Sequence, residues 1–256
     1  MGSFVWNNHA INFNNEGDGA PLLFVHGLGG NADNWLHQRR AFREKRRVIS
    51  VDLPGHGRSE GAEISFMRYW ESIASLLDHL QIPAIDICGL SKGARVALML
   101  ARRQPGLVRS VTVVNSFLWL RPEDGQERRR LYDLLLLDDG GHAWAEALLA
   151  KMGIPADGAI AKGFRRSLAT IRPERIRERF YEMVDYDQRD ELRSIECPVL
   201  IVRGERDGFI PPYCAEDMLA RLPRSQIASL PTCGHLPYLE QPQAFNRVLE
   251  DFYAAL

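Results

Sequence analysis

The chain has 256 residues and an almost balanced charge, with 32 basic and 33 acidic side chains. This length suits one large domain with room for an inserted subdomain, and a net charge of −1 argues against bulk attraction to nucleic acid or to a membrane surface. No stretch approaches the roughly 20 apolar residues that span a bilayer, and the first residues lack the pattern of a secretory signal. The four cysteines show no metal-ligand spacing. We therefore expect a cytoplasmic protein with no nucleic-acid or membrane partner.

The predicted elements begin with a hairpin and continue as strands that alternate with helices. Apolar and polar residues alternate over residues 4–6 and 10–13, on either side of the turn-forming pair Asn7-Asn8, which predicts a β-hairpin. Short apolar runs predict strands at residues 22–25, 48–51, 85–88, 111–114, 199–202 and 226–230. Helical patterns occur at residues 35–43 and 66–80, after Ser91, after Pro212 and at residues 242–255. This alternation predicts a mostly parallel sheet with helices on both faces, in which ligands bind beyond the carboxyl ends of the strands.

The alternation stops after the sixth predicted strand, and residues 117–190 are charged and helical in character. A segment of this length without strands is too long for an idle loop. We expect a helical insertion between two parts of the core, residues 1–116 and residues 191–256. The residues leave two arrangements open, a cover over a site or a set of helices packed on one edge of the sheet.

The turn after the predicted strand 85–88 carries Gly89-Leu90-Ser91-Lys92-Gly93, a G-x-S-x-G sequence. A serine on a tight strand-to-helix turn is exposed at the edge of the sheet, and glycines on either side leave room for that turn. The helix that follows directs free backbone N–H groups toward any negative charge that develops there. The five-residue pattern is common by chance, so its weight comes from the strand and helix that flank it.

Other motifs follow predicted strands in the same way. They are His26-Gly27-Leu28-Gly29-Gly30, Asp52-Leu53-Pro54-Gly55-His56-Gly57-Arg58-Ser59, Gly204-Glu205-Arg206-Asp207, and Cys233-Gly234-His235 followed by Glu240-Gln241-Pro242. With these motifs the chain resembles the α/β-hydrolase superfamily over nearly its whole length, in particular serine esterases and lactonases with a helical cap. The order of serine, acid and histidine is the one that this family uses. The resemblance implies an α/β-hydrolase fold in which residues 117–190 form the cap over the active site.

Three side chains fit the roles of nucleophile, base and orienting acid. Ser91 needs a base within hydrogen-bond reach, because a hydroxyl is a weak nucleophile. We expect His235 to be that base, since imidazole exchanges protons near neutral pH and His235 alone of the seven histidines follows the acid and the last strand. Asp207 would fix the tautomer of His235 and stabilise the imidazolium, although Asp207 also suits a turn. Some family members carry the acid after the preceding strand, which here ends in Asn115-Ser116.

The backbone N–H groups of Lys92 and, by the family's pattern, Leu28 would form an oxyanion hole, each contributing roughly 2.7–4 kcal/mol to transition-state stabilisation. The Lys92 side chain departs from the family, because a cation in the first turn of a helix opposes the helix dipole. It either attracts an anionic substrate or points away to a surface acid, and we expect the second. Arg95 lies in a short stretch that looks like the elbow of a menaquinone-pathway SHCHC synthase, a hydrolase-fold lyase that acts on a polyanionic substrate, and the alternative to a substrate contact is an exposed helix residue. The resemblance also implies that His26 and His56 hold loops by hydrogen bonds.

The resemblance implies a serine hydrolase that cleaves a carboxylic ester, a lactone or a thioester of a small molecule through an acyl-enzyme, as a carboxylesterase does, without a cofactor or a metal. A lyase or C–C hydrolase is an alternative, because residues 91–97 look like the elbow of a menaquinone-pathway SHCHC synthase. A non-catalytic small-molecule receptor on the same scaffold is another. A dinucleotide-binding turn would account for residues 27–32 and Asp52 but leaves Ser91, Asp207 and His235 unexplained.

Overall fold

Eight strands form one sheet in the computed structural model, which describes residues 1–256. The strands are β1 (Gly2–Trp6), β2 (His9–Glu16), β3 (Ala20–Val25), β4 (Arg46–Val51), β5 (Ile85–Leu90), β6 (Val108–Val114), β7 (Val199–Gly204) and β8 (Ser225–Leu230). Their order across the sheet is β1-β2-β4-β3-β5-β6-β7-β8. The pairs from β4 to β8 are parallel, whereas β1–β2 and β2–β4 are antiparallel. The predicted strands and the mostly parallel sheet are confirmed.

The hairpin at the start of the chain turns at Asn7 and Asn8, which have φ angles of 50° and 64°. Asparagine tolerates this left-handed conformation better than most residues, and two such residues in a row match the twist of a tight hairpin. The hairpin pairs with the sheet through β2, where Phe13 lies opposite Val51 of β4. The predicted β-hairpin is therefore confirmed, and it forms one edge of the sheet.

The central strands are apolar because both faces of the sheet are covered. All six residues of β5 are buried, and so are the last four residues of β3. Parallel strands covered on both sides have continuous apolar runs and lack the alternation of a half-exposed strand. This burial explains why these strands were visible in the sequence as short apolar runs.

Ten α-helices accompany the sheet. They are α1 (Leu36–Phe42), α2 (Tyr69–His79), α3 (Lys92–Arg103), α4 (Pro122–Asp133), α5 (His142–Lys151), α6 (Ala159–Leu168), α7 (Pro173–Asp185), α8 (Pro212–Arg221), α9 (Pro237–Glu240) and α10 (Pro242–Ala254). Helix α1 packs against α10, and α2 packs against α3, which lies on β5 and β6. No helix combines the length and apolar character needed to cross a bilayer.

The chain between β6 and β7 contains helices and no strand, and we call α4 to α7 with their connections the helical insertion. Both of its ends meet at the side chain of Arg95 in α3. The Arg95 guanidinium donates to the carbonyl oxygens of Leu118, at 3.2 Å, and of Tyr186, and to Gln188 Oε1 at 3.1 Å. Gln188 also donates from its backbone N–H to Leu118 O at 3.1 Å.

The interpretation of Arg95 as an exposed helix residue is wrong, because this side chain has no accessible surface. Its guanidinium also lies over the ring of Phe117, 5.0 Å from the ring centroid. Burial lowers the pKa of Arg95 to about 9. Since its donors bind backbone carbonyls of the protein itself, Arg95 is engaged in closing the fold and is not free to bind a polyanionic substrate in the way suggested by the likeness to an SHCHC synthase.

Candidate active site

Ser91 lies on the turn between β5 and α3 with φ 49° and ψ −110°, a conformation that non-glycine residues rarely adopt. Close backbone contacts force the turn to be narrow. A Cβ on Gly89 would lie 2.4 Å from the carbonyl carbon of Gly93, and a Cβ on Gly93 would lie 2.3 Å from Val25 O. The two glycines of the motif are therefore required by packing, and the Ser91 N–H is held by Val114 O at 2.8 Å.

Asp207 and His235 form a buried pair at the ends of β7 and β8. His235 Nδ1 lies 2.7 Å from Asp207 Oδ2, and both side chains are at most 5% exposed. The other carboxylate oxygen, Oδ1, accepts the backbone N–H groups of Phe209 at 2.8 Å and Ile210 at 3.2 Å. Asp207 thus acts in a turn and holds the imidazole at the same time. With the proton on Nδ1, the free Nε2 is the atom of His235 that can accept a proton.

Ser91 and His235 are linked through the residues that end β6. Ser116 Oγ donates to Ser91 O at 2.8 Å, and Asn115 Nδ2 donates to the carbonyl oxygens of Gly234 and His235, each at 3.0 Å. No hydrogen bond joins Ser91 Oγ to His235 in this structure. Contacts of this kind are often long before substrate binds and shorten in the complex. The three predicted residues therefore share one edge of the sheet, with the acid and base already paired.

Asn115 has a structural role that was not predicted from the sequence. Its backbone φ is 40°, and besides the two bonds from Nδ2 its Oδ1 accepts the N–H of Gly204 at 2.9 Å. One buried amide thus fixes the start of the loop that carries Asp207 and the loop that carries His235. The sequence contains one signal for this role, the polar pair Asn115-Ser116 directly after an apolar strand. From the sequence alone, that pair indicated only that no acid follows this strand.

Glu240 braces the same histidine loop from the other side. Its Oε2 accepts the N–H of Gly234 at 2.7 Å and its Oε1 accepts the N–H of Leu236 at 2.8 Å, so the carboxylate spans the backbone on both sides of His235. Burial raises the pKa of Glu240. Glu240 begins the motif Glu240-Gln241-Pro242 of the sequence, and its contacts show that it holds the loop of His235 in place.

The two predicted oxyanion donors are the N–H of Lys92, which directly follows Ser91 in the chain, and the N–H of Leu28 in the loop after β3. The N–H of Leu28 makes no hydrogen bond within the protein, and the N–H of Lys92 belongs to the first turn of α3, where helical N–H groups lack an intrahelical acceptor. Gly27 and Leu90 are in contact range, since a Cβ on Gly27 would lie 3.2 Å from a methyl carbon of Leu90. The loop of Leu28 therefore approaches the turn of the nucleophile.

The Lys92 side chain contradicts both sequence interpretations, because it has no accessible surface and pairs with a histidine and not with an acid. Its Nζ donates to His56 Nε2 at 2.8 Å and lies 5.0 Å from the centroid of the Tyr69 ring. The first turn of α3 faces the interior, so a side chain there has no route to water. Burial, with Arg179 adding a repulsive charge, lowers the pKa of Lys92 well below its ordinary value.

His26 and His56 hold loops, as the resemblance implied. His26 Nδ1 lies 2.7 Å from Gly27 O and its Nε2 accepts the N–H of Leu53 at 3.0 Å, which joins the two loops after β3 and β4. His56 Nδ1 lies 3.0 Å from Pro54 O. Burial lowers the pKa of both rings, that of His26 to about 3, so both are neutral at physiological pH.

A cavity of about 350 Å³ lies between the Leu28 loop and α6. Leu90 and Leu236, the chain neighbours of Ser91 and His235, line it from the core. Ile160 and Phe164 of α6 line the opposite side. Helix α6 also touches the loop directly, because Asn31 Nδ2 donates to Ser167 Oγ at 3.1 Å. The main cavity, as we call it, is therefore lined by chain neighbours of Ser91 and His235, and not by these two residues themselves, and it has a mostly apolar wall.

Asp52 does not take the role that a dinucleotide-binding turn would require. Its Oδ1 accepts the N–H of Ala32 at 2.7 Å and its Oδ2 accepts the N–H of Arg58 at 2.9 Å. The glycine-rich loop leads into a short 3₁₀ helix, Ala32–Trp35. The carboxylate that would bind a ribose is thus occupied by two loops of the protein.

The fold and the geometry at the strand ends define an α/β hydrolase. Residues 22–248 match the model of the Alpha/beta hydrolase family, and the chain belongs to that family. It is 29% identical over 249 residues to the dihydrolipoyllysine-residue acetyltransferase component of the acetoin cleaving system of Pseudomonas putida, covering 91% of this chain and 63% of that longer protein. It is 28% identical over 263 residues to a 2-hydroxymuconate semialdehyde hydrolase of Pseudomonas putida, covering 96% and 91%. A malate-bound thermophilic esterase from Thermogutta terrifontis superposes with a TM-score of 0.85 at 26% identity, covering 96% and 94%.

Proposed function

We propose that this protein is a serine hydrolase that cleaves carboxylic esters of small molecules through an acyl-enzyme. The observation that carries the proposal is the buried Asp207–His235 pair at 2.7 Å, on loops that Asn115 and Ser116 tie to the strained turn of Ser91. A hydroxyl on such a turn with an oriented imidazole nearby is the arrangement that nucleophilic catalysis requires.

In this mechanism Ser91 Oγ attacks the ester carbonyl while His235 Nε2 takes the hydroxyl proton. The N–H groups of Leu28 and Lys92 stabilise the oxyanion, and Asp207 stabilises the imidazolium that forms. His235 then donates its proton to the departing alcohol, and the acyl group stays on Ser91. A water molecule deprotonated by His235 releases the acid and restores the serine. These steps use side chains and backbone N–H groups only.

We propose that the helical insertion, residues 117–190, is a cap that completes this site, with residues 1–116 and 191–256 as the core. Two contacts support this role. The Met152 carbonyl accepts the N–H of His235 at 2.9 Å, and Arg128 Nε donates to Phe209 O at 2.9 Å, in the loop after Asp207. The insertion thus contacts the loops of both the base and the acid, which favours a cap over helices packed away from the site.

Simple esters fit the proposal best, with lactones and thioesters as chemically similar substrates. C–C cleavage is a second candidate, supported by the likeness to the 2-hydroxymuconate semialdehyde hydrolase. A non-catalytic receptor would need no free oxyanion donor, whereas the N–H of Leu28 is unpaired. These alternatives predict different outcomes in the same experiment.

The test is labelling with a fluorophosphonate followed by intact mass measurement. One adduct should form on the native protein and none on Ser91→Ala, while Ser194→Ala, at an exposed serine, should label normally. Hydrolysis of a chain-length series of p-nitrophenyl esters then measures turnover. Labelling that persists in Ser91→Ala would refute the choice of nucleophile. Labelling without turnover of any ester would favour the receptor or the C–C hydrolase.

A further inference from the structure

A second cavity, of about 460 Å³, adjoins the main cavity and differs from it in character. None of its lining residues is hydrophobic, whereas the main cavity is mostly apolar. Four residues line both cavities: Asp33, Asn34, Gly163 and Ser167. We call the second one the polar annex. A molecule bound beside Ser91 that extends past α6 would therefore pass from apolar into polar surroundings.

The charged side chains of the polar annex differ in whether they already have hydrogen-bond or ion-pair partners within the protein. Both oxygens of Asp52 accept backbone N–H groups, and Asp33 lies 3.3 Å from the guanidinium of Arg39 and 3.7 Å from that of Arg58. Arg166 of α6 forms no ion pair. Two carboxylates are thus already neutralised or hydrogen-bonded, and one cation has no counterion.

Arg166 is also placed at the junction of the two cavities. Its Nη2 lies 3.8 Å from the position that a Cβ on Gly163 would take, and Gly163 lines both cavities. The neighbouring Arg165 points elsewhere, because its guanidinium pairs with Glu146. A guanidinium binds a carboxylate through parallel N–H donors, so an anionic group is the chemistry that Arg166 fits.

We propose that the natural substrate is an ester whose apolar chain ends in a carboxylate or similar anion, and that Arg166 binds this end in the polar annex. This inference rests on the proposed ester hydrolysis. The apolar chain occupies the main cavity, and its anionic end exchanges water for the guanidinium of Arg166. The anion belongs to either the acyl part or the alcohol part of the ester, and the experiment separates the two.

The experiment compares kcat/KM for matched charged and neutral esters. In the acyl arm, monomethyl adipate and monomethyl suberate are compared with methyl esters of unbranched monocarboxylic acids of similar length. In the alcohol arm, the acetate ester of 6-hydroxyhexanoate is compared with hexyl acetate. The native enzyme should prefer the charged ester in one arm, and Arg166→Gln should lower kcat/KM for that ester by about tenfold, mainly through KM.

Matched variants distinguish a specific contact from a general charge effect. Lys162→Gln removes the same charge from an exposed position of the same helix that lines neither cavity, and it should leave the preference unchanged. Arg166→Glu should lower kcat/KM for the anionic ester further and favour methyl 6-aminohexanoate. The preference should weaken with added salt, because the pair lies near solvent.

Hydrolysis of p-nitrophenyl butyrate distinguishes a failure of the proposed anion site from a failure of the proposed esterase activity. Its rate should be equal in the native enzyme and in Lys162→Gln, and Arg166→Gln should lower it by much less than tenfold, since this short ester does not reach the polar annex. If the native enzyme cleaves it but no arm shows an Arg166-dependent preference for the anion, the inference is overturned and the esterase stands. If the native enzyme cleaves no ester, the proposed function itself fails.

Discussion

Acid should destabilise this fold through His26, and glutamine at this position should remove much of that sensitivity. His26 is fully buried, and both ring nitrogens are engaged, Nδ1 with Gly27 O and Nε2 with the N–H of Leu53. Burial, with a smaller contribution from Lys92, lowers its pKa from 6.5 to about 3. The folded protein therefore keeps the ring neutral in a pH range where the unfolded chain protonates it.

The magnitude follows from the pKa difference. Between about pH 3 and pH 6.5 the unfolded chain binds more protons than the folded one, so the free energy of unfolding falls as the pH falls through this range. One pKa unit corresponds to about 1.36 kcal/mol. The loss attributable to His26 is therefore about 2 kcal/mol between neutral pH and about pH 5, and it reaches roughly 5 kcal/mol near pH 3.

The assay is urea unfolding of the native protein and of His26→Gln at neutral pH and at about pH 5. Glutamine offers an oxygen acceptor to the N–H of Leu53 but does not titrate, so the variant should lose about 2 kcal/mol less than the native protein over this interval. Other groups titrate alike in both proteins and cancel in the comparison. His37→Gln, at an exposed position, should behave like the native protein. Equal losses in His26→Gln and the native protein would refute the reasoning.

Four other substitutions have defined outcomes. Lys92→Met removes a buried amine whose pKa is lowered, so the variant should have a higher free energy of unfolding than the native protein. This difference should shrink as the pH rises toward 10.5, measured by denaturation at several pH values. Asp207→Asn should lower kcat by about 10⁴-fold with a native circular dichroism spectrum. Glu240→Gln replaces a carboxylate that accepts two backbone N–H groups by an amide with one acceptor oxygen, so the loop of His235 should be held less firmly and kcat/KM should fall about tenfold. Arg95→Met should lower the free energy of unfolding by about 3 kcal/mol and expose the helical insertion to limited proteolysis.

Exposed positions on the same helices provide the controls. Arg102→Met lies on α3 and should leave proteolysis unchanged, and Glu250→Gln lies on α10 and should leave kcat/KM unchanged. A flat pH dependence of the Lys92→Met gain, or an Asp207→Asn enzyme with near-native kcat, would contradict the corresponding assignments. An unchanged kcat/KM in Glu240→Gln would mean that one acceptor oxygen is enough to hold the loop of His235.

The strands and the serine turn could be predicted because each leaves a pattern within a short stretch of sequence. Strands covered on both faces leave apolar runs, and the narrow turn at Ser91 demands glycine at two fixed positions, 89 and 93. The pairing of Asp207 with His235 was predicted from motif order, since parallel strands bring their carboxyl ends to one edge.

The environments of Lys92 and Arg95 could not be predicted, because their partners are distant in the sequence. Arg95 is buried because carbonyls of Leu118 and Tyr186 converge on it, and Lys92 is buried against His56. A charged residue in a helix is exposed by default, and only the tertiary fold supplies acceptors that reverse this default. The role of Asn115 was missed for the same reason, since its hydrogen-bond partners lie on two loops about a hundred residues further along the chain, Gly204 as a donor and Gly234 and His235 as acceptors.

One guanidinium, that of Arg95, joins the point where the chain leaves the sheet for the helical insertion and the point where it returns. The first and last parts of the insertion, at Leu118 and Tyr186, therefore lie close together. The whole insertion can therefore be exchanged as one unit. The helices of a relative should fit between the same two attachment points without a change in the sheet. The residues of α6 that line the main cavity would change in such an exchange, while the residues at the ends of the strands would stay the same.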